Sequence, residues 1–167
     1  MQNQINFENA RLQPLTSETA AEISQWHYAP PYDPYSFDLC TDDYLLDEST
    51  WGIEQFCLMD EDSVLAQVAC QYEGDDLWVG WSLAPTLCGK GNGAAFVKTC
   101  VNELRFIKGH TGRLLLRVAA WNLRAIKAYQ KAGFVYVETI QDEIAYSGHM
   151  EDFRVMALQD VPHDRIC

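Results

Sequence analysis

Apolar residues recur along the chain with two different periods, and these periods alternate from one segment to the next. Short apolar runs bounded by Gly, Asp and Asn are typical of β-strands. Seven such runs predict strands, at 7–15, 51–60, 63–72, 77–83, 113–119, 134–140 and 152–158. Three longer stretches repeat apolar residues at helical spacing and predict helices, at 16–28, 93–107 and 122–133. A short helix at most is expected at 42–49.

The order of these elements predicts the fold class. Antiparallel hairpins come early, joined by turn signals such as DEDS at 60–63, and β-α-β units occupy the middle. We therefore expect an α+β fold, with a mixed central β-sheet flanked by helices on both faces. Thr16 or Ser17 is a candidate cap of the first helix, and Asn122 of the third. The second helix presents one apolar stripe, made of Phe96 or Val97, Cys100, Val101, Leu104 and Ile107.

Size and composition indicate one globular unit. The 167 residues, 48% of them hydrophobic, predict a single domain over 1–160 and a flexible tail at 161–167. No apolar run approaches the length of a membrane span, and the N-terminus lacks the features of a signal peptide. Six cysteines without a C-x-x-C pair are typical of free thiols in a reducing cytoplasm. The four histidines show no metal-ligand spacing, so no metal site is expected.

Charge is distributed unevenly along the chain. Residues 1–89 carry one basic and sixteen acidic side chains, a net −15, whereas the whole chain carries −12. The segment 88–131 carries nine basic side chains and one acidic, a net +8. A solvated cationic helix face and an anion-binding role explain this segment equally well. The pI near 4.5 and the lack of a recognised nucleic-acid motif argue against nucleic acid as a partner.

Three glycines, Gly89, Gly91 and Gly93, lie between an apolar strand and a predicted helix. Glycine permits positive φ and close backbone approach to a ligand, and a helix start presents unpaired N–H groups. The P-loop alternative fails because no Gly-Lys-Ser/Thr follows at the required spacing. The dinucleotide-binding alternative fails because the next strand, RLLLRVA, offers no terminal acidic residue to a ribose.

Two motifs taken together resemble the GNAT superfamily of acyl-CoA N-acyltransferases. The first is Leu-x-Pro…Gly-x-Gly at 83–93, and the second is Asn-x-x-Ala-x-x-x-Tyr-x-x-x-Gly-Phe at 122–134. Their separation and the element order are similar to that family over most of 1–158. The stretch WHYAPPYDPYSFD at 26–38 also resembles the start of a bacterial subgroup of this superfamily. The resemblance implies the GNAT fold, with acetyl-CoA as co-substrate.

The resemblance also implies a coenzyme A site on the glycine-rich loop. Backbone N–H groups at the helix start would hold the pyrophosphate, and the preceding strand would bond the pantetheine arm as an added strand does. The implied cofactor-binding residues are Ser82, Leu83, Cys88, Gly89, Lys90, Gly91, Asn92, Gly93, Ala94 and Asn122. Asn122 is open to a second interpretation as a plain N-cap.

Cys88 departs from the family pattern, which has Gln or Arg at that position of the loop. The loop binds mainly through backbone N–H groups, which a side-chain change leaves in place. The nearby helix start and Lys90 favour the thiolate form of Cys88. Basic residues of the following helix, Arg124, Lys127 and Lys131, would add attraction for phosphate.

The chemistry that the resemblance implies is direct attack by an amine on acetyl-CoA. Tyr129 lies seven residues after Asn122, on the same helical face, and is implied as the acid for the departing thiolate. An alkyl ammonium, with a pKa of about 10.4, must first lose a proton. The position of the base in some family members holds Arg117 here. Glu54 is the candidate base because it lies within a strand; the alternatives are Glu73, Asp75 and Asp76.

The acceptor site is expected near the first helix and its following loop. Aromatic and acidic residues crowd this region and suit a cation, although rings covering the sheet explain them equally well. The candidate substrate-binding residues are Trp26, Tyr28, Tyr32, Asp33 and Tyr35. We expect an N-acetyltransferase for a cationic primary amine of a small molecule or peptide. The alternative is a CoA-binding sensor or interaction module without catalysis; a homodimer and the acyl group beyond acetyl stay open.

Overall fold

The computed structural model describes residues 5–39, 44–143 and 149–159, so the predicted tail at 161–167 lies outside the described residues. These ranges form seven strands and three α-helices. In chain order they are β1 (Arg11–Pro14), α1 (Ser17–Ile23), β2 (Glu54–Asp60), β3 (Ser63–Glu73), β4 (Asp76–Leu83), α2 (Gly93–Lys108), β5 (Leu114–Ala119), α3 (Leu123–Lys131), β6 (Val135–Glu143) and β7 (Met150–Leu158).

One sheet holds all seven strands, in the order β1-β2-β3-β4-β5-β7-β6. Among the described strands, only β4 and β5 pair in parallel, and the other neighbours are antiparallel. The predicted mixed sheet is therefore confirmed. None of the helices in the described part of the chain is both long and apolar enough to cross a bilayer.

Both faces of the sheet are covered, as predicted. Alternate residues of a strand point to opposite faces, and in β2 the side chains of Phe56 and Leu58 join the core formed with α2 and α3. Cys57, between them, points the other way and packs with Ala20 and Ile23 of α1. The apolar stripe of α2 is buried at Phe96, Val97, Cys100, Val101 and Leu104. Ile107, the predicted last member of that stripe, is 41% exposed instead.

The N-terminal elements are shorter than predicted. The strand expected at 7–15 begins only at Arg11, because Phe7–Asn9 form a 3-10 turn with the Asn6 side chain as its cap. The helix expected at 16–28 ends at Ile23, where 3-10 hydrogen bonds turn the chain and carry Trp26 into the core. The described part of 42–49 forms two 3-10 turns, not an α-helix.

Candidate active site

A cleft opens in the sheet where β4 and β5 stop pairing. The two strands are joined only at Leu77–Leu114 and Trp78–Leu115, although they continue to Leu83 and Ala119. The opening holds a cavity of about 750 Å³, walled by the far halves of both strands and by the starts of α2 and α3. This volume is in the range of cofactor and substrate sites.

The backbone of β4 presents hydrogen-bonding groups to this cleft. The N–H of Leu77 donates toward β5, to Arg113 O, whereas the N–H of Ala84 donates toward β3, to Leu65 O. In an antiparallel strand the N–H and C=O of a residue point to one side, and the side alternates along the chain. Trp81 and Leu83 therefore face the cleft. The backbone of Ser82 faces β3, although the residue itself lines the cavity as predicted for a binding residue.

The loop after β4 exposes the start of α2. Gly89 and Gly91 have φ of 72° and 79°, a region that favours glycine. Asn92 precedes α2, but its buried side chain accepts from Ile5 N–H (2.9 Å) and donates to Leu87 O (3.0 Å). The first turn of α2 thus has no side-chain cap and no acidic residue. Its N–H groups and partial positive charge are available to an anion.

The other loop residues have mixed placements. A Cβ at Gly93 would lie 3.1 Å from the Cβ of Ala128, so this glycine keeps α2 close to α3. Ala94 lines the cavity, whereas Lys90 is exposed and lies outside the lining. The cavity lining of the described residues includes four basic side chains and no acidic one: Arg117, Arg124, Lys127 and Lys131.

The Cys88 thiol is half-buried beside the loop. Burial raises its pKa, and Arg124 opposes this only in part. Its S–H group donates to Ala84 O at 3.5 Å and to Leu83 O at 3.7 Å. The predicted thiolate is therefore wrong, because burial outweighs the nearby cations and the thiol serves as a neutral donor.

Cys88 is expected to react with iodoacetamide faster as the pH rises, since only the small thiolate fraction reacts. Saturating CoA is expected to slow this reaction severalfold, because Cys88 lines the cavity. Mass spectrometry of the labelled peptides measures both effects. The buried Cys57 and Cys100 serve as internal controls whose labelling CoA leaves unchanged. Equal labelling of Cys88 with and without CoA would contradict a ligand on this loop.

Tyr129 lines the cavity with a positioned hydroxyl. Its oxygen accepts a hydrogen bond from Trp81 Nε1 at 3.2 Å, and its ring packs against those of Trp81 and Phe134. Burial raises the pKa of the phenol to about 12, although the Trp81 hydrogen bond acts to lower it. The phenol is thus protonated at neutral pH, and its own hydrogen remains for an acceptor in the cleft.

Asn122 fits both of its interpretations. Its Oδ1 accepts from Ala125 N–H at 3.2 Å, which caps α3, and the residue also lines the cavity. The Tyr35 hydroxyl lies beside the Asn122 side chain. Burial raises the pKa of Tyr35, and the hydrogen bond with Asn122 acts to lower it. Tyr28 and Tyr32 line the cavity as well, and the Tyr28 hydroxyl donates to Leu83 O at 2.7 Å.

Besides Lys90, three predicted site residues lie outside the cavity lining. Both carboxylate oxygens of Glu54 are 2.7 Å from Lys108 Nζ, at the end of α2 remote from the glycine loop. The geometry therefore argues against Glu54 as the base. Trp26 is buried in the second core, in edge contact with Phe37, and does not line the cavity. Asp33 is half-buried but also lies outside the lining.

Trp121 packs against two residues of the cavity lining, and the sequence reasoning missed it. Its ring lies between those of Tyr32 and Tyr35, with centroid distances of 6.0 and 5.8 Å. The guanidinium of Arg124 stacks on the Tyr32 ring, 3.8 Å from its centroid. The available signal was an aromatic residue directly before the predicted cap Asn122. Tyr32 and Tyr35 line the cavity, and Trp121 packs against both of them outside its lining; these three rings are called the ring wall.

The chain matches the family model described as "Acetyltransferase (GNAT) family" over residues 18–134. This span is most of the chain, so the protein belongs to the GNAT family and is an N-acetyltransferase by class. No curated protein matches its sequence.

Solved structures share the fold at low sequence identity. The aminoglycoside acetyltransferase AAC(6')-Ib, solved with ribostamycin and coenzyme A, is 17% identical with a TM-score of 0.71, covering 91% of this chain and 94% of that one. Spermidine N-acetyltransferase from Vibrio cholerae, solved with CoA and spermine, is 19% identical with a TM-score of 0.64, covering 91% and 96%. Ribosomal-protein-S5-alanine acetyltransferase from Vibrio fischeri is 15% identical with a TM-score of 0.62, covering 95% and 97%.

Proposed function

We propose that this protein transfers the acetyl group of acetyl-CoA to a primary amine of a small molecule or peptide. The observation that carries the proposal is the cleft between β4 and β5. An unpaired strand edge, an uncapped helix start and the Tyr129 hydroxyl all border one cavity. Two of the similar structures contain CoA, which supports the same ligand here. We also propose that 1–160 act as a single domain, since the sheet runs from β1 to β7.

The proposed orientation of acetyl-CoA follows from the groups along the cleft. Its pyrophosphate would lie on the N–H groups at the start of α2, with Arg124, Lys127 and Lys131 adding attraction. The pantetheine arm would extend along β4 and bond the free N–H groups of Trp81 and Leu83 as an added strand does. Asn122 borders the arm from the opposite side. The thioester then lies near Tyr129.

The chemistry is a direct displacement. The amine nitrogen attacks the thioester carbon, and a cleft-facing N–H of β4 stabilises the charge that develops on the carbonyl oxygen. The new C–N bond forms, the nitrogen then loses a proton to water, the C–S bond breaks, and sulfur leaves as a thiolate. The Tyr129 hydroxyl donates a hydrogen bond to that sulfur. Because a phenol with a pKa near 12 holds its proton more tightly than a thiol near 8.5, the benefit is a hydrogen bond to the developing charge, and the lasting proton comes from solvent.

The attacking amine must arrive without its proton. Among the described residues, no carboxylate lines the cavity, so we propose that the proton leaves to water before attack. The neutral fraction of an alkyl amine grows about tenfold per pH unit below its pKa of about 10.4. The acceptor is proposed to be cationic, because the first 89 residues carry a net −15 and steer cations at low salt.

The test is binding and turnover on the intact chain. Acetyl-CoA is expected to raise the melting temperature by mass action. A panel of polyamines, aminoglycosides, lysine and alanyl peptides is expected to include an acceptor whose kcat/KM rises with pH. Free CoA formation and the mass of the acetylated product measure the transfer. Binding of acetyl-CoA without turnover of any amine would contradict acetyl transfer, and no binding would contradict the cleft as a CoA site.

A further inference from the structure

A carboxylate that the proposed chemistry does not use lies beyond the rim of the cleft. Glu151 is the second residue of β7 and is half-buried. Alternation along the strand puts its side chain on the same face as that of Phe153, which lines the cavity. This face is the one opposite α2 and α3. Glu151 is therefore one step further along the sheet than the last residue of the cavity wall.

Aromatic rings surround this end of the face. Tyr35 and Trp121 pack against the buried pair Ala119 and Phe153. The Glu151 carboxylate is close enough to the Tyr35 hydroxyl to contribute to its raised pKa, after the larger contribution of burial. Glu151 is two residues before Phe153 on the same face of β7, so it lies next to this group of rings. Aromatic faces together with a carboxylate are the environment that an ammonium group prefers.

The ion pair that the described residues form on this face of the sheet involves a neighbouring carboxylate and not Glu151. Arg117 points to the same face of the sheet, but it forms an ion pair with Asp142 and stacks 5.0 Å from the ring centroid of Phe153. Asp142 is the register partner of Glu151 on β6. Within 5–39, 44–143 and 149–159, no cation pairs with the Glu151 carboxylate. A half-buried carboxylate gains most from a partner that brings a positive charge.

An ammonium held by a carboxylate keeps its proton, because an amine is by far the stronger base. A protonated amine has no lone pair and does not attack the thioester. The group bound at Glu151 is therefore distinct from the nucleophile. We propose that Glu151, with the rings of Tyr35 and Trp121, binds a second ammonium of the acceptor, which makes the substrate a diamine or polyamine. This inference rests on the proposed acetyl transfer and names the substrate class of the same site.

The test compares amines that differ only in the second charge. Putrescine and cadaverine each carry a second ammonium, and aminobutanol and aminopentanol carry a hydroxyl in its place. The wild-type enzyme is expected to prefer each diamine by about tenfold or more in kcat/KM, as for a charge-assisted hydrogen bond. Glu151→Gln is expected to bring that ratio close to one by raising the diamine KM. The KM for acetyl-CoA is expected to stay unchanged, and Glu151→Asp to restore part of the ratio.

Asp152→Asn is the matched control. It removes the same charge one residue away, but its side chain points to the other face and bonds Gln141. Its diamine-to-alcohol ratio is expected to equal that of the wild type. An unchanged ratio in Glu151→Gln, or an equal loss in Asp152→Asn, would overturn the inference. So would a wild-type enzyme that turns over monoamines but shows no preference for diamines, whereas failure of the proposed function would show as no turnover of any amine.

Discussion

Tyr129→Phe is expected to lower kcat by at least tenfold while the affinity for acetyl-CoA changes little. The substitution removes only the hydroxyl, and the ring retains its packing against Trp81 and Phe134. A tenfold loss corresponds to about 1.4 kcal/mol of transition-state stabilisation. One positioned hydrogen-bond donor to a charge that develops in the transition state typically contributes about 10²–10³-fold. Steady-state kinetics beside a calorimetric titration with acetyl-CoA separate the effect on chemistry from the effect on binding.

Tyr136→Phe is the control for this prediction. It deletes a tyrosine hydroxyl outside the cavity, on the exposed strand β6, where the hydroxyl bonds only the Thr139 side chain among the described residues. Its kcat is expected to match that of the wild type.

Because Tyr129→Phe leaves the Trp81 N–H without its acceptor, the Tyr129→Phe variant is also expected to have a lower melting temperature. If the Tyr129→Phe variant had the kcat of the wild type, the role of Tyr129 would be limited to packing.

Gly91→Asp is expected to abolish the stabilisation of the protein by acetyl-CoA. The side chain would place a Cβ and a negative charge on the backbone that is proposed to hold the pyrophosphate. At a ligand concentration of a hundred times Kd, the stabilisation that disappears is about 2.7 kcal/mol. Melting curves with and without acetyl-CoA measure it.

The φ of 79° at Gly91 means that any side chain there also strains the backbone. Gly52→Asp controls for this strain, because Gly52 has a φ of 67° and no atom within 4 Å of an added Cβ. Gly52→Asp is expected to lose some stability but to keep the full acetyl-CoA shift. If Gly91→Asp retains the shift, the ligand does not lie on this loop.

The local elements were predictable because their causes are local. The apolar stripe of α2 follows from side chains at helical spacing, and all of its predicted members except Ile107 are buried. Thr16 forms a capping box with Thr19, and Asn122 caps α3, as short polar side chains before a helix do. The helix α1 was predicted to be longer than it is. It ends at Ile23, and Trp26 packs with Phe37, eleven residues further on, a contact that helical spacing does not reveal.

The candidate site was predictable only where one continuous segment builds it. The residues of the glycine loop and of α3 are each close in sequence, and most of them line the cavity. The choice of Glu54 as the base is not supported, because its position within a strand does not reveal which end of α2 lies next to it. Lys108, 54 residues away, forms an ion pair with its carboxylate. Trp121 was missed because its role depends on Tyr32 and Tyr35, which another part of the chain supplies.

The sequence by itself determined the periodic elements, the helix caps, the glycine loop and the two motifs that resemble the GNAT family. These depend on backbone propensity and on side-chain spacing within one segment. The tertiary structure decided where β4 leaves β5, which backbone groups face the cleft, and that Glu151 meets the ring wall. These depend on strand register and on contacts between residues far apart in the sequence, such as the packing of Tyr35 against the cluster of Ala119 and Phe153. Periodicity within a segment carries no information about such distant partners.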